Sequence, residues 1–304
     1  MTAPLALGID LGGTKTEARL LARDGTELWR SRVASPRDDY AATLEALAGL
    51  VQQAQAQGLG DFTVGVGTPG TATAAGLMKN CNSTWLNGRP LPADLAARLG
   101  RAVRVENDAN CLALSEAIDG AAAGAAVVFA VILGTGTGGG LALNGRVHRG
   151  VNGVAGEWGH NPLPWAQAGE DPEWPCYCGQ RGCLETMLSG PGLARDHLTA
   201  TGQPLTAEAV AARAVQGDAG AQATLQRHAS RLARGLASVV NLLDPDVIVL
   251  AGGLSALPGL VDAVQGQWAR WVLNAGTDEP VATRLVTARH GDASGARGAA
   301  WLWA

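Results

Sequence analysis

The chain is 304 residues long, which is enough for two domains of ordinary size, each with its own hydrophobic core. Apolar residues make up 47% of it and charged residues 16%, a composition typical of globular rather than disordered proteins. The net charge is −4 and no basic block is present, so the sequence lacks the electrostatic footprint of a nucleic-acid-binding protein.

The sequence also predicts a cytoplasmic protein that makes no contact with a membrane. No basic segment precedes the first apolar stretch, and Asp10 interrupts that stretch, which is unlike a signal peptide. The longest apolar run, residues 120–134, is too short to cross a bilayer.

In chain order, strands first alternate with helices, a pattern typical of α/β architecture. Hydrophobic periodicity predicts strands at residues 5–11, 16–21, 62–66, 103–106, 127–133, 141–143 and 247–250, and helices at 40–57, 91–99, 109–117 and 219–243. The strand-turn-strand pattern of the N-terminus restarts near residue 127. We therefore predict two related lobes, residues 1–122 and 123–304, and the last helix, near residues 293–303, is a candidate to cross back to the first lobe.

Two Gly/Thr turns follow strands at matching places in the two predicted lobes. The first is Asp10-Leu-Gly-Gly-Thr-Lys15, and the second is Gly134-Thr-Gly-Thr-Gly-Gly-Gly140. Glycines let a backbone approach a phosphate group, and exposed N–H groups can donate hydrogen bonds to its oxygens. One such turn alone would indicate only a tight hairpin, but two favour a nucleotide site. Asp10 ends its strand, where a carboxylate could hold Mg²⁺.

A further carboxylate, Asp108, follows the strand at residues 103–106. At a strand end it could accept a proton from a substrate hydroxyl group, which the neighbouring Asn107 could hold by hydrogen bonding. The same position suits the N-cap of the next helix, and Asp108 taken alone favours that interpretation.

Four residues provide a complete tetrahedral ligand set for zinc: His160, Cys176, Cys178 and Cys183. Because four protein ligands leave no open position, the predicted zinc ion is structural. A reduced cluster without metal is the alternative, and a disulfide is disfavoured in a cytosolic chain. Asp196 and His197 are alternative fourth ligands, although both fit an ordinary helix.

Two glutamates flank the predicted metal cluster. Glu157 stands three residues before His160, and Glu185 stands two residues after Cys183. Each glutamate alone is typical of a solvated surface. Beside a rigid metal site, however, their carboxylates would be held in fixed positions as acceptors for sugar hydroxyl groups.

Together these motifs resemble the ROK family of sugar kinases and sugar-responsive repressors. The segments that carry the resemblance occur in family order and span most of the chain: Asp10 to Lys15, Asn107-Asp108, Gly134 to Gly140, Glu157-Trp-Gly-His160, and Cys176 to Glu185. The resemblance implies a two-lobed actin-like, hexokinase-like ATPase fold of duplicated ribonuclease H-like domains. It also implies binding of ATP and a sugar between the lobes, and a homodimer.

The resemblance further implies a role for each matching position. Asp108 corresponds to the general base. The sugar-binding positions are Asn107, Asp108, Glu157, His160 and Glu185, with Gly70 and Asn82 nearby in the sequence pattern. The phosphate-binding positions are Asp10, Gly12, Gly13, Thr14, Lys15, Gly134, Thr135, Gly136 and Thr137, and the adenosine motif is Gly252-Gly253. His160 would bind zinc through one ring nitrogen and the sugar through the other.

Segments outside these motifs are most similar to bacterial fructokinases that also accept mannose. These segments are residues 36–40, 82–88, 160–164 and 290–303. We therefore expect a fructokinase that uses ATP and Mg²⁺ and phosphorylates O6, with glucokinase or N-acetylglucosamine kinase activity as the alternative. A sugar-responsive regulator or a non-catalytic binding protein is disfavoured, because only nine residues precede Asp10 and leave no room for a helix-turn-helix domain. An actin-like or chaperone-like ATPase would not need the Glu157, His160 and Glu185 set.

Overall fold

The computed structural model describes residues 5–169, 171–274 and 277–304. By their contacts, these residues form two compact units. The first contains the described residues up to Gly124 together with Gly140–Ala155 and Arg289–Ala304, and the second contains Ala125–Gly139 and Gly156–Ala288. The division therefore differs from the predicted lobes of residues 1–122 and 123–304, because two later segments group with the first unit.

The first part of the chain contains these elements: β1 (Leu5–Leu11), β2 (Lys15–Leu21), β3 (Glu27–Ala34), α1 (Tyr40–Gln55), β4 (Phe62–Thr68), β5 (Thr71–Ala72), β6 (Met78–Lys79), α2 (Leu91–Leu99), β7 (Val103–Asn107) and α3 (Asp108–Ile118). The rest contains β8 (Val127–Leu133), β9 (Thr137–Leu143), β10 (Arg146–Val147), α4 (Leu184–Leu188), α5 (Gly190–Thr201), α6 (Ala207–Val215), α7 (Ala219–Leu243), β11 (Val247–Ala251), α8 (Leu260–Gln265), α9 (Trp268–Trp271), β12 (Arg284–Thr287) and α10 (Ser294–Trp301).

The first unit is built on a sheet with the strand order β3-β2-β1-β4-β7. Strand β1 pairs antiparallel with β2 and parallel with β4, and β4 pairs parallel with β7. In this register Asp10 lies opposite Gly67, and Thr68 lies opposite Asn107. The carboxyl ends of three parallel strands therefore meet at one edge of the sheet, which is where α/β proteins commonly bind ligands.

The last helix, α10, packs so closely within the first unit that its contacts with β1 and α3 need glycine. A Cβ atom on Gly8 of β1 would lie 1.8 Å from the carbonyl oxygen of Ala296. A Cβ atom on Gly298 would lie 1.7 Å from the carbonyl oxygen of Cys111 in α3. Glycine is required at both positions because the backbones themselves are in contact. Helix α10 thus docks on β1 and α3, and this contact explains why the segment groups with the first unit.

The second sheet has the strand order β10-β9-β8-β11-β12, in which β11 pairs parallel with both β8 and β12. Its strands β8 and β11 are largely buried and consist of apolar residues. Helix α5 is the helix expected around Asp196 and His197, but its start was not predicted, because Gly190-Pro191-Gly192 is typical of a turn. In the structure Ser189 caps this helix by accepting a hydrogen bond from the Gly192 backbone N–H, and proline is tolerated in the first turn.

None of the helices in the described ranges combines the length and the apolarity that a bilayer crossing requires.

Candidate active site and metal cluster

The first glycine turn connects β1 to β2 and is held from within the first unit. The Gly12 backbone N–H donates to the carbonyl oxygen of Lys15 at 3.1 Å, and the Ser35 hydroxyl donates to the carbonyl oxygen of Gly12 at 2.6 Å. Gly13 and Thr14 are exposed at the tip of the turn. Lys15 is also exposed, and its Nζ lies 2.9 Å from a carboxylate oxygen of Asp292. The tip therefore presents its backbone to a ligand, whereas the lysine is ion-paired.

Two carboxylates of the first unit, Asp10 and Asp108, have raised pKa values. Burial, followed by the negative charge of Asp108, raises the pKa of Asp10 from 3.8 to about 7. Burial also raises the pKa of Asp108, even though its carboxylate accepts a backbone hydrogen bond from Ala109. A carboxylate with a raised pKa is a better proton acceptor than an ordinary one, so Asp108 has the property that a general base needs.

Asn107, and not Asp108, is the N-cap of α3. Its Oδ1 accepts hydrogen bonds from the backbone N–H groups of Ala109 at 2.9 Å and Asn110 at 3.2 Å. Asp108 is the first residue of the helix. The interpretation of Asp108 as the N-cap is therefore wrong, because the preceding asparagine already satisfies the free N–H groups of the first turn.

The sequence analysis missed Glu106, which holds the Asn107-Asp108 segment in place. Its side chain is 3% exposed and accepts hydrogen bonds from the Asn107 backbone N–H at 2.8 Å and from Asn110 Nδ2 at 3.1 Å. It is also ion-paired with Arg149. A buried glutamate needs such partners, and the signal that could have identified it is the alternation of β7, in which Glu106 directly follows the buried Val105 and precedes Asn107-Asp108.

Gly70 lies beside Asn107, whose Nδ2 donates to the Gly70 carbonyl oxygen at 3.3 Å. Gly70 has a φ of +79°, and a Cβ atom there would lie 2.6 Å from Cys81 Sγ. Burial, followed by the Asp108 carboxylate, raises the pKa of Cys81 to about 11. The structure thus brings Gly70, Cys81, Asn107 and Asp108 together, while the neighbouring Asn82 is exposed.

The second glycine turn, between β8 and β9, presents its two threonines differently. Thr135 is exposed, whereas Thr137 is 3% exposed and its hydroxyl group has no hydrogen-bond partner among the described residues. The Thr137 backbone N–H donates to Glu185 Oε2 at 3.0 Å. Glu185, predicted to bind sugar, therefore contacts the turn predicted to bind phosphate.

The glycines that follow this turn accommodate the segment that carries Glu157 and His160. A Cβ atom on Gly139 would lie 2.6 Å from the carbonyl oxygen of Gly156. Trp158 Nε1 donates to the carbonyl oxygen of Gly138 at 3.1 Å. These glycines are therefore needed for backbone packing inside the second unit, which the sequence analysis did not foresee.

A cavity of about 1120 Å³ in the second unit lies against the second glycine turn and the predicted adenosine motif. Gly134, Thr135 and Gly253 line it, together with apolar side chains such as Leu205 and Leu254. Gly252 lies in the adjoining turn with a φ of +84°. A Cβ atom on Gly252 would lie 2.4 Å from the carbonyl oxygen of Leu133, so only glycine fits there. A largely apolar cavity with a few polar groups in its lining suits a nucleoside.

The residues predicted to bind zinc fit that ion. The possible ligand atoms of His160, Cys176, Cys178 and Cys183 all lie within 4.8 Å of one another. The Sγ atoms of Cys178 and Cys183 are 3.6 Å apart, and Cys176 Sγ is 3.6 Å from His160 Nδ1. A tetrahedral site with Zn–S bonds of about 2.3 Å has ligand separations of roughly 3.8 Å. His160 Nε2 lies 3.0 Å from the Tyr177 hydroxyl group.

The two alternative zinc ligands belong to other interactions on α5. Asp196 is ion-paired with Arg227 and Arg231 of α7, and His197 Nδ1 lies 3.0 Å from the Thr224 hydroxyl group. Neither residue belongs to the possible metal cluster found among the described residues. The set of His160 with three cysteines is therefore the one that the structure brings together.

The sequence profile of the ROK family matches residues 6–304 of this chain. The chain belongs to the ROK family. N-acetyl-D-glucosamine kinase from Escherichia coli (strain K12) is 41% identical to it over 302 residues, which cover 97% of this chain and 98% of that protein.

Two solved ROK structures are similar over nearly the whole chain. The ROK hexokinase from Thermus thermophilus has a TM-score of 0.85 and 34% identity, over 98% of this chain and 97% of that one. The ROK family glucokinase from Streptomyces griseus, solved in complex with glucose and AMPPNP, has a TM-score of 0.76 and 30% identity, over 97% of this chain and 98% of that one. The predicted α/β hexokinase-like ATPase fold of the ROK sugar kinases is thereby confirmed.

Proposed function

We propose that this ROK protein is an ATP-dependent hexose kinase that phosphorylates O6 of its sugar. The observation that carries the proposal is the environment of Asp108, a half-buried carboxylate with a raised pKa at the carboxyl end of β7. Such a group can take the proton of an attacking hydroxyl group as that oxygen bonds to the γ-phosphorus. The exposed tip of the first glycine turn supports the proposal with donors for the phosphate oxygens.

The proposed roles of the other residues combine the family resemblance with their places in the structure. Glu157, His160 and Glu185 bind sugar hydroxyl groups, with Asn107 orienting the hydroxyl that Asp108 deprotonates. The cavity beside Gly134, Thr135 and Gly253 takes the nucleoside. Bound Mg²⁺ would neutralise charge on the phosphates, and Asp10 fits it because a cation would relieve its repulsion from Asp108. The zinc ion has a structural role.

The sugar that we propose first is N-acetyl-D-glucosamine. The curated relatives from Escherichia coli and Shigella dysenteriae, each 41% identical over 302 residues, are N-acetyl-D-glucosamine kinases. These relatives support N-acetylglucosamine, which was the alternative predicted from the sequence, better than fructose. We therefore place fructose second. Fructose remains a candidate because residues 82–88, 160–164 and 290–303 resemble the fructokinase branch of the family.

The test is a coupled assay of ADP release with ATP and Mg²⁺, run without sugar and with N-acetylglucosamine, fructose, mannose, glucose and N-acetylmannosamine. We expect turnover only with sugar and the highest kcat/KM with N-acetylglucosamine. A higher kcat/KM with fructose would reverse the order of the two sugars. Sugar-independent ADP release would indicate an ATPase, and no ADP release with any sugar would refute the kinase proposal.

A further inference from the structure

We propose that Glu185 is a positioning residue for the second glycine turn, and that sugar and nucleotide bind cooperatively because both depend on its carboxylate. The inference rests on the proposed function, which gives Glu185 a sugar hydroxyl group to bind and gives the turn at Gly134–Thr137 a nucleotide. It adds a direct connection between the two substrates inside the second unit.

The contact that carries the inference joins α4 to the turn. Glu185 Oε2 accepts a hydrogen bond from the Thr137 backbone N–H at 3.0 Å. A hydrogen bond to a charged acceptor is stronger than one between neutral groups. The half-buried carboxylate therefore constrains the backbone of the turn at the residue where β9 begins.

Gly136 shows that the turn is shaped around this carboxylate. A Cβ atom on Gly136 would lie 2.7 Å from Glu185 Oε2, and the only other atom within 4 Å is the carboxyl carbon of Glu185. The φ of Gly136 lies outside the left-handed region, so an alanine could adopt its backbone conformation. Glycine is needed here to leave space for Glu185.

Glu185 is in turn held by the metal cluster and by the turn itself. Cys183, a predicted zinc ligand, is the N-cap of α4, and the Leu184 backbone N–H donates to the carbonyl oxygen of Asn161 at 2.9 Å. After α4, the Gly190 backbone N–H donates to the carbonyl oxygen of Gly134 at 2.7 Å. Helix α4 is thus attached at one end to the cluster and at the other end to the turn.

The geometry leaves one oxygen of Glu185 for the sugar. Among the described residues, hydrogen bonds to this carboxylate reach only Oε2, so Oε1 can accept one from a sugar hydroxyl group. A sugar bound there restricts the rotation of the carboxylate and keeps Oε2 on Thr137. The turn is then pre-organised before the nucleotide arrives, and the coupling must be reciprocal.

Binding of β,γ-imido-ATP with Mg²⁺, measured by calorimetry with and without saturating sugar, tests the inference. In the wild-type protein we expect sugar to tighten nucleotide binding about threefold to tenfold, and nucleotide to tighten sugar binding by the same factor. In Glu185→Gln, and in Gly136→Ala, this factor should fall to about one, and nucleotide affinity without sugar should fall about threefold to tenfold. The double variant, which carries Glu185→Gln and Gly136→Ala, should lose no more coupling and no more nucleotide affinity than either single variant.

Gly134→Ala provides a matched comparison in the same turn. Its added methyl group would meet no atom within 4 Å, so it does not disturb Glu185. We expect the coupling factor of Gly134→Ala to stay at the wild-type value, whatever direct effect the methyl group has on nucleotide affinity. Zinc content and melting temperature of each variant check that it is folded.

The outcomes separate the inference from the proposed function. A wild-type protein that shows sugar-dependent ADP release but no coupling, or unchanged coupling in both Glu185→Gln and Gly136→Ala, would overturn the inference alone. A wild-type protein that binds neither nucleotide nor sugar would overturn the proposed function and the inference with it.

Discussion

At the scale of single residues, the first unit concentrates negative charge where the predicted chemistry needs it. Burial raises the pKa of Asp10 and of Asp108, and Asp108 adds to the effect on Asp10. The nearby Cys81 thiol has a pKa of about 11, first because of burial and then because of Asp108. Raised pKa values mean that ionising these groups costs free energy, and a bound cation would lower that cost for the carboxylates.

The first prediction concerns the base. Asp108→Asn keeps the shape of the side chain but removes its ability to accept a proton, so kcat should fall about 10²-fold to 10⁴-fold. Sugar affinity, measured by calorimetry, should stay within about threefold of the wild-type value, since Asn can still hydrogen-bond a hydroxyl group. A kcat close to that of the wild-type enzyme would remove Asp108 from the role of base.

The second prediction uses the pH dependence of stability. The pKa of Asp10 is about 7 in the folded protein against an ordinary value of 3.8, so the folded state binds the proton more tightly. The stability that protonation provides is complete below about pH 4 and is lost as the pH rises through about 7. Asp10→Asn removes the buried charge and should raise the melting temperature at pH 8 by roughly 2–6 °C in buffer without Mg²⁺.

The same comparison at pH 5 is the control for Asp10→Asn. There Asp10 of the folded wild-type protein is mostly protonated, so the advantage of the variant should be smaller than at pH 8. An equal difference in melting temperature at both pH values would show that the charge of Asp10 does not destabilise the folded state.

At the scale of elements, close backbone contacts decide how the parts of each unit pack. Glycines at positions 8, 65 and 298 let α10 lie directly on the backbones of β1, β4 and α3, and Gly139 does the same for the segment at Gly156. Such contacts tolerate no side chain, because the atoms that an added Cβ would meet belong to the backbone. The possible metal cluster lies in a different kind of element, a loop with little regular structure between Trp158–His160 and α4.

The third prediction tests the docking of α10. In Gly298→Ala the added Cβ would lie 1.7 Å from the carbonyl oxygen of Cys111, so the helix must move. The free energy of unfolding in urea should fall by about 2–4 kcal/mol, and the yield of soluble protein should fall with it.

Gly49→Ala in α1 is the matched control for Gly298→Ala. Its added Cβ would meet no atom within 4 Å, so this variant should gain about 0.5–1 kcal/mol from its better helix propensity. Similar unfolding free energies for the two variants would contradict the close packing of α10.

The fourth prediction concerns the metal cluster. Protein purified without chelator should contain about one zinc ion per chain by elemental analysis, and Cys178→Ser should lower that content. Removal of zinc should make the loop between His160 and Cys183 sensitive to proteases, because few regular hydrogen bonds hold it. Wild-type protein that contains no zinc after purification without chelator would refute the metal prediction.

At the scale of the whole molecule, topology identifies the fold but not the substrate. None of the described helices is long and apolar enough to cross a bilayer. Two five-stranded sheets with similar strand order support the hexokinase-like fold of the ROK sugar kinases. Relatives with this fold act on different sugars, so the fold by itself does not identify the substrate. A homodimer and a cytoplasmic location remain predictions.

The fifth prediction applies to the chain as a whole. A ligand present at about 100 times its Kd stabilises the folded state by about 2.7 kcal/mol, so the preferred sugar should raise the melting temperature measurably. We expect N-acetylglucosamine to raise it more than fructose at equal concentration, and galactitol, which lacks a ring, to leave it unchanged. A larger rise with fructose would favour the second candidate sugar.

Much of the fold was predictable because its signals are local. Periodicity placed the central strands of both sheets close to their observed bounds, such as residues 127–133 for Val127–Leu133, and the long helix at Ala219–Leu243, but not the edge strands β3, β10 and β12. Four helices, α4, α6, α8 and α9, were not predicted, and α5 was expected only around Asp196 and His197, because it starts in a Gly-Pro-Gly segment typical of turns. The cluster of His160 with three cysteines was predictable from residue type and spacing.

The sequence by itself determined the family, the motifs and the chemical types of the site residues, since these are encoded in short segments. Only the tertiary structure decided which of these residues contact one another. Glu106, beneath Asn107, is ion-paired with Arg149, 43 positions away, and Glu185 accepts a hydrogen bond from Thr137, 48 positions away. Such contacts join residues that are far apart in the chain. No local pattern in the sequence contains that information.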